Sequence, residues 1–215
     1  MESSPHVPRL RGRIHQVAFF LSIPLGVSLV VVARTGEARL AAAVFAVSLA
    51  GVFAASASYH RGRWSDAVRP LMRRLDHAMI FLLIAGSYTP FCLLVIEGGG
   101  GAWLLGAVWA GALAGIVLKL VALERVEKLT AALYIVLGWL AILALPRMIH
   151  RLSALQLFLL VTGGVLYTLG AIVLLRHRPD PDPKVFGYHE VWHAMGVTAS
   201  LCHYVAILLM VVAAH

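Results

Sequence analysis

The sequence predicts an all-α membrane protein, a seven-transmembrane helix bundle with its N-terminus in the cytoplasm and its C-terminus outside. Three observations carry this. Of the 215 residues, 60% are hydrophobic and only 13% are charged, where a soluble domain carries about 25% charged residues. The apolar residues fall into seven runs of about 20, the length a bilayer core requires. The basic residues cluster in alternate segments between those runs, as topology signals do. The net charge of +8 is accounted for in this way, and no nucleic-acid partner is expected. The partner is the lipid bilayer, and the expected location is the plasma (inner) membrane, multi-pass.

The spans run approximately from Ile14 to Ala33, Arg39 to His60, Leu75 to Glu97, Ala102 to Leu123, Leu129 to Pro146, Ser153 to Leu175 and Tyr188 to Ala213. Residues 1–13 form a cytoplasmic tail and residues 14–213 a single seven-helix domain. The first run begins near Ile14 and is long enough to span, so no cleavable signal peptide is expected. The breaks are the arginine-rich Arg61–Arg74, the glycine turn Glu97–Gly101, the charged Glu124–Lys128 and the Pro179-Asp180-Pro181-Asp182-Pro183 string. Alternating prolines cannot be helical, because each removes a donor and fixes φ. Pro24 and Pro90 fall inside spans and are expected to kink them. Gly106, Gly111, Gly115, Gly163, Gly164 and Gly170 are expected to let helices approach closely. Cys92 and Cys202 lie in apolar runs and read as small core residues. Trp64, Trp103 and Trp192 lie near span ends, as interfacial aromatics do.

Orientation follows from lysine and arginine. With the N-terminus inside, the inner segments hold Arg9, Arg11 and Arg13; Arg61, Arg63, Arg69, Arg73 and Arg74; Arg125 and Lys128; and Arg176, Arg178 and Lys184. The outer segments hold only Arg34, Arg39, Arg147 and Arg151. Lys119, near the inner end of the fourth span, is expected to snorkel.

This topology brings the unusual residues to one depth. His60 ends the second span at the cytoplasmic side, and Ser56 lies one turn deeper on the same face. Asp76 begins the third span there, and His189 and His193 occupy the first two turns of the seventh. Ionisable groups inside membrane segments are costly and mark functional sites. His189 and His193, four apart, project from one helix face, the usual way a helix offers two nitrogen ligands to zinc. With His60 they make a three-histidine set for Zn2+, and three histidines plus a water is a catalytic zinc arrangement. Histidine also suits iron, copper or nickel. Such a metal brings the pKa of its water to about 7. Asp76 would orient that water or act as base, and Ser56 would hydrogen-bond the water or a substrate oxygen.

The bland alternative for each residue alone is a polar helix end at the headgroup layer, and only the shared depth favours a site. His189-Glu190-Val191-Trp192-His193 also matches the H-E-x-x-H metalloprotease pattern, in which the glutamate is the base. An intramembrane protease is therefore a competing reading. His77 points about 100° from Asp76 on a helix and reads as a packing or hydrogen-bonding residue. His15 begins the first span at the level of the site. His203, deep in the seventh span, reads as an interhelical hydrogen-bonding residue. His6, His150, His177 and His215 fall in tails or loops.

Ser56-Ala57-Ser58-Tyr59-His60, Leu75-Asp76-His77-Ala78-Met79-Ile80 with Ala85-Gly86-Ser87-Tyr88-Thr89-Pro90, and His189-Glu190-Val191-Trp192-His193 together resemble the bacterial hemolysin III family. That family is similar to the progestin and adipoQ receptors and to a wider group of membrane hydrolases that includes alkaline ceramidases. The resemblance covers about Ile14 to Leu209. It implies seven helices, a cytoplasmic N-terminus and zinc held by His60, His189 and His193, with Ser56 and Asp76 as the family's serine and aspartate. It suggests hydrolysis of a lipid amide or ester. The family name suggests a second class, a membrane-perturbing or pore-like protein, and a third reading is a sensor whose metal is structural. Where the family often carries Glu, Asn and Thr-His before the first span, Arg11-Gly12-Arg13-Ile14-His15 keeps only the histidine. The topology is checked with a single cysteine in place of Ser65: an impermeant thiol reagent should fail to label it in intact cells and label it after lysis.

Overall fold

No water reaches a bilayer core, so a spanning chain must satisfy its own backbone, and a helix does so within one segment. The computed structural model describes residues 8–96, 99–122 and 127–214. It consists of α1 (Arg13–Val32), α2 (Gly36–Arg61), α3 (Arg69–Leu94), α4 (Gly99–Ala122), α5 (Glu127–Trp139), a 3-10 segment (Leu140–Ala144), α6 (Leu145–Ile149), α7 (Ala154–Arg176) and α8 (Tyr188–Ala213). Among the described residues, seven helical segments are long and apolar enough to cross a membrane; the fifth, Leu129–Ile149, joins α5, the 3-10 segment and α6. Large apolar side chains such as Phe20, Val47 and Leu175 stand open to the surroundings, Leu175 at 82% exposure. A water-soluble monomer does not present such a continuous apolar surface. A lipid-facing wall must.

Several boundaries differ from the sequence expectation. α3 starts at Arg69, not Leu75. Arginine is a good helix former, and Pro70 in the first turn needs no intrahelical donor there. Gly99, Gly100 and Gly101 are helical rather than a turn. A Cβ on Gly101 would strike the Ile96 and Cys92 carbonyls, so bare glycines let α4 start hard against the end of α3. Glu97 and Gly98, the end of the fourth span at Leu123 and the Glu124–Val126 part of the charged break lie outside the described residues. Glu127 and Lys128 already belong to α5. Pro24 and Pro90 lie inside continuous helices.

The fifth span is the irregular one, and Pro146 gives the reason. Proline has no N–H to offer the carbonyl of residue 142, and its ring crowds that turn. The chain tightens to a 3-10 path over Leu140–Ala144 and then resumes as α6. The backbone groups freed by the change find Tyr88 of α3. Its hydroxyl is shared between the Leu137 and Gly138 carbonyls at 2.9 and 3.0 Å and accepts the Ala141 N–H at 2.7 Å. Trp139 Nε1 donates to Thr168 Oγ1 on α7 at 3.0 Å.

Small residues sit where helices cross. A Cβ on Gly86 would strike Ser48, one on Gly51 Met79, one on Gly115 Phe81 and one on Gly163 His203. Gly111 and Gly170 are likewise crowded, by Leu137 and Trp192, whereas Gly106 and Gly164 face open space and do not have the packing role expected of them. Lys119 departs from its expected snorkelling. It is 2% exposed, on the inward face of α4 that carries Leu104, Val108 and Ala112. The helical repeat turns it into the bundle before its stem can reach the headgroups. Cys92 and Cys202 are free thiols.

Tyr88→Phe keeps the ring and removes the hydroxyl that satisfies the broken fifth span. A melting temperature measured in detergent should fall, corresponding to a loss of about 1–3 kcal/mol, the usual cost of orphaned buried polar groups.

Candidate metal centre

The ends of three helices build the site. His60 lies in the last turn of α2, Asp76 in the second turn of α3, and His189 and His193 in the first two turns of α8. His60, His189 and His193 each offer one ligand atom, and these atoms all lie within 4.8 Å of one another. The His60 and His189 Nε2 atoms stand 3.2 Å apart. Two nitrogens on one tetrahedral zinc at about 2.0–2.1 Å would be separated by about 3.3 Å. A shared proton also fits that single distance. The surroundings of His193 favour a cation. It is 1% exposed, and neither of its ring nitrogens has a hydrogen-bond partner. A buried imidazole left unpaired loses about 1–3 kcal/mol, and a cation between the three rings would engage one of its two nitrogens. The donor set of neutral imidazoles suits zinc.

Asp76 and Ser56 are brought to the same place. Asp76 Oδ2 lies 3.9 Å from His60 Nε2. Ser56 lies beside the carboxylate, and both residues are buried.

His77 turns away, as its helical phase requires. Its Nδ1 meets the Arg73 carbonyl at 2.7 Å, and its own carbonyl accepts the Tyr134 hydroxyl at 2.7 Å. His203 Nε2 lies 3.3 Å from the Leu160 carbonyl on α7, the interhelical contact its depth implies. His15 does reach the site. Its ring stacks on His193 at a centroid distance of 3.8 Å and an interplanar angle of 14°.

Glu190 has a different occupation from the protease base. It is fully buried. One carboxylate oxygen accepts Arg11 Nε at 2.6 Å, and the other accepts the Gly187 N–H at 2.9 Å. The second contact caps α8, and Asp180 Oδ1 assists by accepting the Tyr188 N–H at 2.8 Å. Both oxygens are therefore engaged in holding the start of α8. Arg11 and Gly12 are the residues sequence reasoning missed. Arg11 reads as one more topology charge, and nothing in its neighbourhood points to a partner 179 positions away.

Seven membrane-length helices with a partly buried histidine cluster at one end define a multi-pass membrane protein with a candidate metal centre. The chain belongs to the haemolysin-III-related family, whose family model matches residues 3–204. It is 33% identical over 200 residues to hemolysin-3 of Bacillus cereus, covering 92% of this chain and 88% of that one. It is 32% identical over 197 residues to a hemolysin-3 homolog of Bacillus subtilis (strain 168), covering 90% and 89%.

Zinc affinity should follow the three clustered histidines one by one. Alanine at His60, His189 or His193 should each weaken binding by tenfold or more in a chelator competition. Alanine at His77 or His203 should leave it within about twofold.

Proposed function

We propose that this protein is a zinc-dependent membrane hydrolase acting on an amide or ester bond of a lipid, with its site at the cytoplasmic end of the bundle. The observation that carries the reading is the triad itself: three histidines converge with His193 unpaired, beside a buried carboxylate whose Oδ2 is 3.9 Å from His60. A structural metal would need the histidines but has no use for a buried acid and hydroxyl at its edge.

Zinc, when bound, supplies Lewis-acid activation of a carbonyl and makes water acidic enough to ionise near neutral pH. The remaining work falls to the chain. His60, His189 and His193 hold the ion. Asp76 takes the proton from the attacking water and delivers it to the leaving amine or alcohol, the ordinary task of a positioned carboxylate. Ser56 donates to Asp76 and fixes the direction of the carboxylate. At the helix ends the triad would lie near the depth of lipid headgroups, where the amide or ester of a lipid lies, with the acyl chains among the exposed apolar side chains of the spans.

Glu190 is a poor candidate for the base of a protease, because both its oxygens are engaged. The relatives' name, hemolysin, gives the membrane-perturbing reading some support. A pore requires polar groups along the whole bilayer depth, and the triad, Asp76 and Ser56 gather at one end.

Purified protein in vesicles containing ceramides and phospholipids should release fatty acid. Asp76→Asn should keep its zinc and lose activity by about 10²-fold or more, the scale of general acid–base catalysis. Full activity in Asp76→Asn or in His193→Ala contradicts the mechanism. Vesicle lysis that persists in His60→Ala would favour the perturbing reading instead.

A further inference from the structure

The segment before α1 is tied down more firmly than a tail requires. Arg9 and Leu10 donate their N–H groups to the Lys184 and Val185 carbonyls at 3.0 and 3.2 Å, so the segment lies along the loop that leads into α8. It then folds back in a tight turn, Arg11 N–H to the Pro8 carbonyl at 3.0 Å and Arg13 N–H to the Leu10 carbonyl at 2.9 Å. Gly12 completes the turn at φ 75°, a conformation that a side chain disfavours. A Cβ there would also lie 2.6 Å from His60 Cβ. One turn later His15 stacks on His193. Between these contacts, Arg11 reaches the buried Glu190, whose chain neighbours in α8 include His189.

We propose that Pro8–His15 is a strap whose docking sets the histidine triad, with Arg11 and His15 as positioning residues that act through Glu190 and His193. The inference rests on the triad being a metal site. Glu190 is fully buried, and Arg11 is the one cation with which an ion pair is recorded for it among the described residues. Without Arg11 an uncompensated carboxylate remains in the bundle, a strongly unfavourable state. The first turn of α8 must shift to relieve it, and His189 shifts with that turn. Gly12 and His15 act on the other two ligands, by direct contact with the His60 stem and by covering one face of the His193 ring. Groups that orient metal ligands without touching the metal typically change affinity by about 10–100-fold.

The coupling must also run backwards: if a docked strap tightens metal binding, bound metal tightens the strap by the same factor. That gives two independent measurements. The first compares full-length wild type, Arg11→Ala and Arg11→Lys by zinc–chelator competition and by the visible absorption of bound cobalt. Arg11→Ala should bind zinc about tenfold or more weakly with an altered cobalt spectrum, and Arg11→Lys should recover part of the loss. The second needs no variant: amide hydrogen exchange at Arg9 and Leu10 in folded wild type should slow on adding zinc to metal-stripped protein. That measurement decides the matter if Arg11→Ala does not fold. A wild type that takes up no metal overturns both the metal site and the strap. A wild type that binds metal, beside an Arg11→Ala variant within twofold of it and with the same cobalt spectrum, overturns the strap alone. So does exchange at Arg9 and Leu10 that is indifferent to zinc.

Discussion

An imidazole buried among helices with neither nitrogen bonded is an unstable thing to build, and His193 is such an imidazole. Much of the surrounding structure makes sense as the means of keeping it where it is. α8 begins with Glu190 capping its own first turn, which fixes the phase at which His189 and His193 leave the helix. α2 ends just after His60, so that imidazole comes from a helix terminus and meets the other two there. α3 starts early enough for Asp76 to lie two turns in, deep enough to be buried beside His60. A cation among the three rings would engage one of the two His193 nitrogens, and the acid and hydroxyl at its edge would give that cation chemistry to do.

Elsewhere in the bundle, polar groups within the spans are met by partners from neighbouring helices. The 3-10 stretch forced by Pro146 frees carbonyls and an amide inside a membrane span, and one tyrosine hydroxyl answers them. Tyr167 and Ser200 pair at 2.7 Å, and Tyr204 ties α8 to the Leu25 carbonyl of α1 at 3.1 Å. Unsatisfied groups cost several kcal/mol in hydrocarbon, and among the described residues the buried side-chain nitrogens without a partner besides those of His193 are His15 Nδ1 and Arg74 Nε. His193 is the residue with both ring nitrogens among them, which supports the proposal that the triad is a metal site.

The spans and the triad were legible because each leaves a local mark. Long apolar runs announce helices, basic clusters separate them, and His189 and His193 at helical spacing share a face before any fold is known. His60, Asp76 and Ser56 joined them through the depth that alternating spans impose. What stayed hidden depends on contacts between distant parts of the chain. Arg11 carries a charge indistinguishable from those of Arg9 and Arg13, and only the fold reveals that Glu190 waits for it. Lys119 is hydropathically a helix-end residue, yet the rotation of α4 buries it. The early start of α3 was masked because arginine serves equally well as a loop charge and as a helix former. The H-E-x-x-H match is a true helical pattern, but what its glutamate touches, the helix cap and Arg11, was not legible in it.

X-ray absorption at the zinc edge of detergent-purified, metal-loaded protein tests the central claim most directly. The account predicts about one zinc per chain with three imidazole nitrogens and one oxygen at about 2.0–2.1 Å. A sulfur shell near about 2.3 Å, or folded protein that holds no metal, would contradict it.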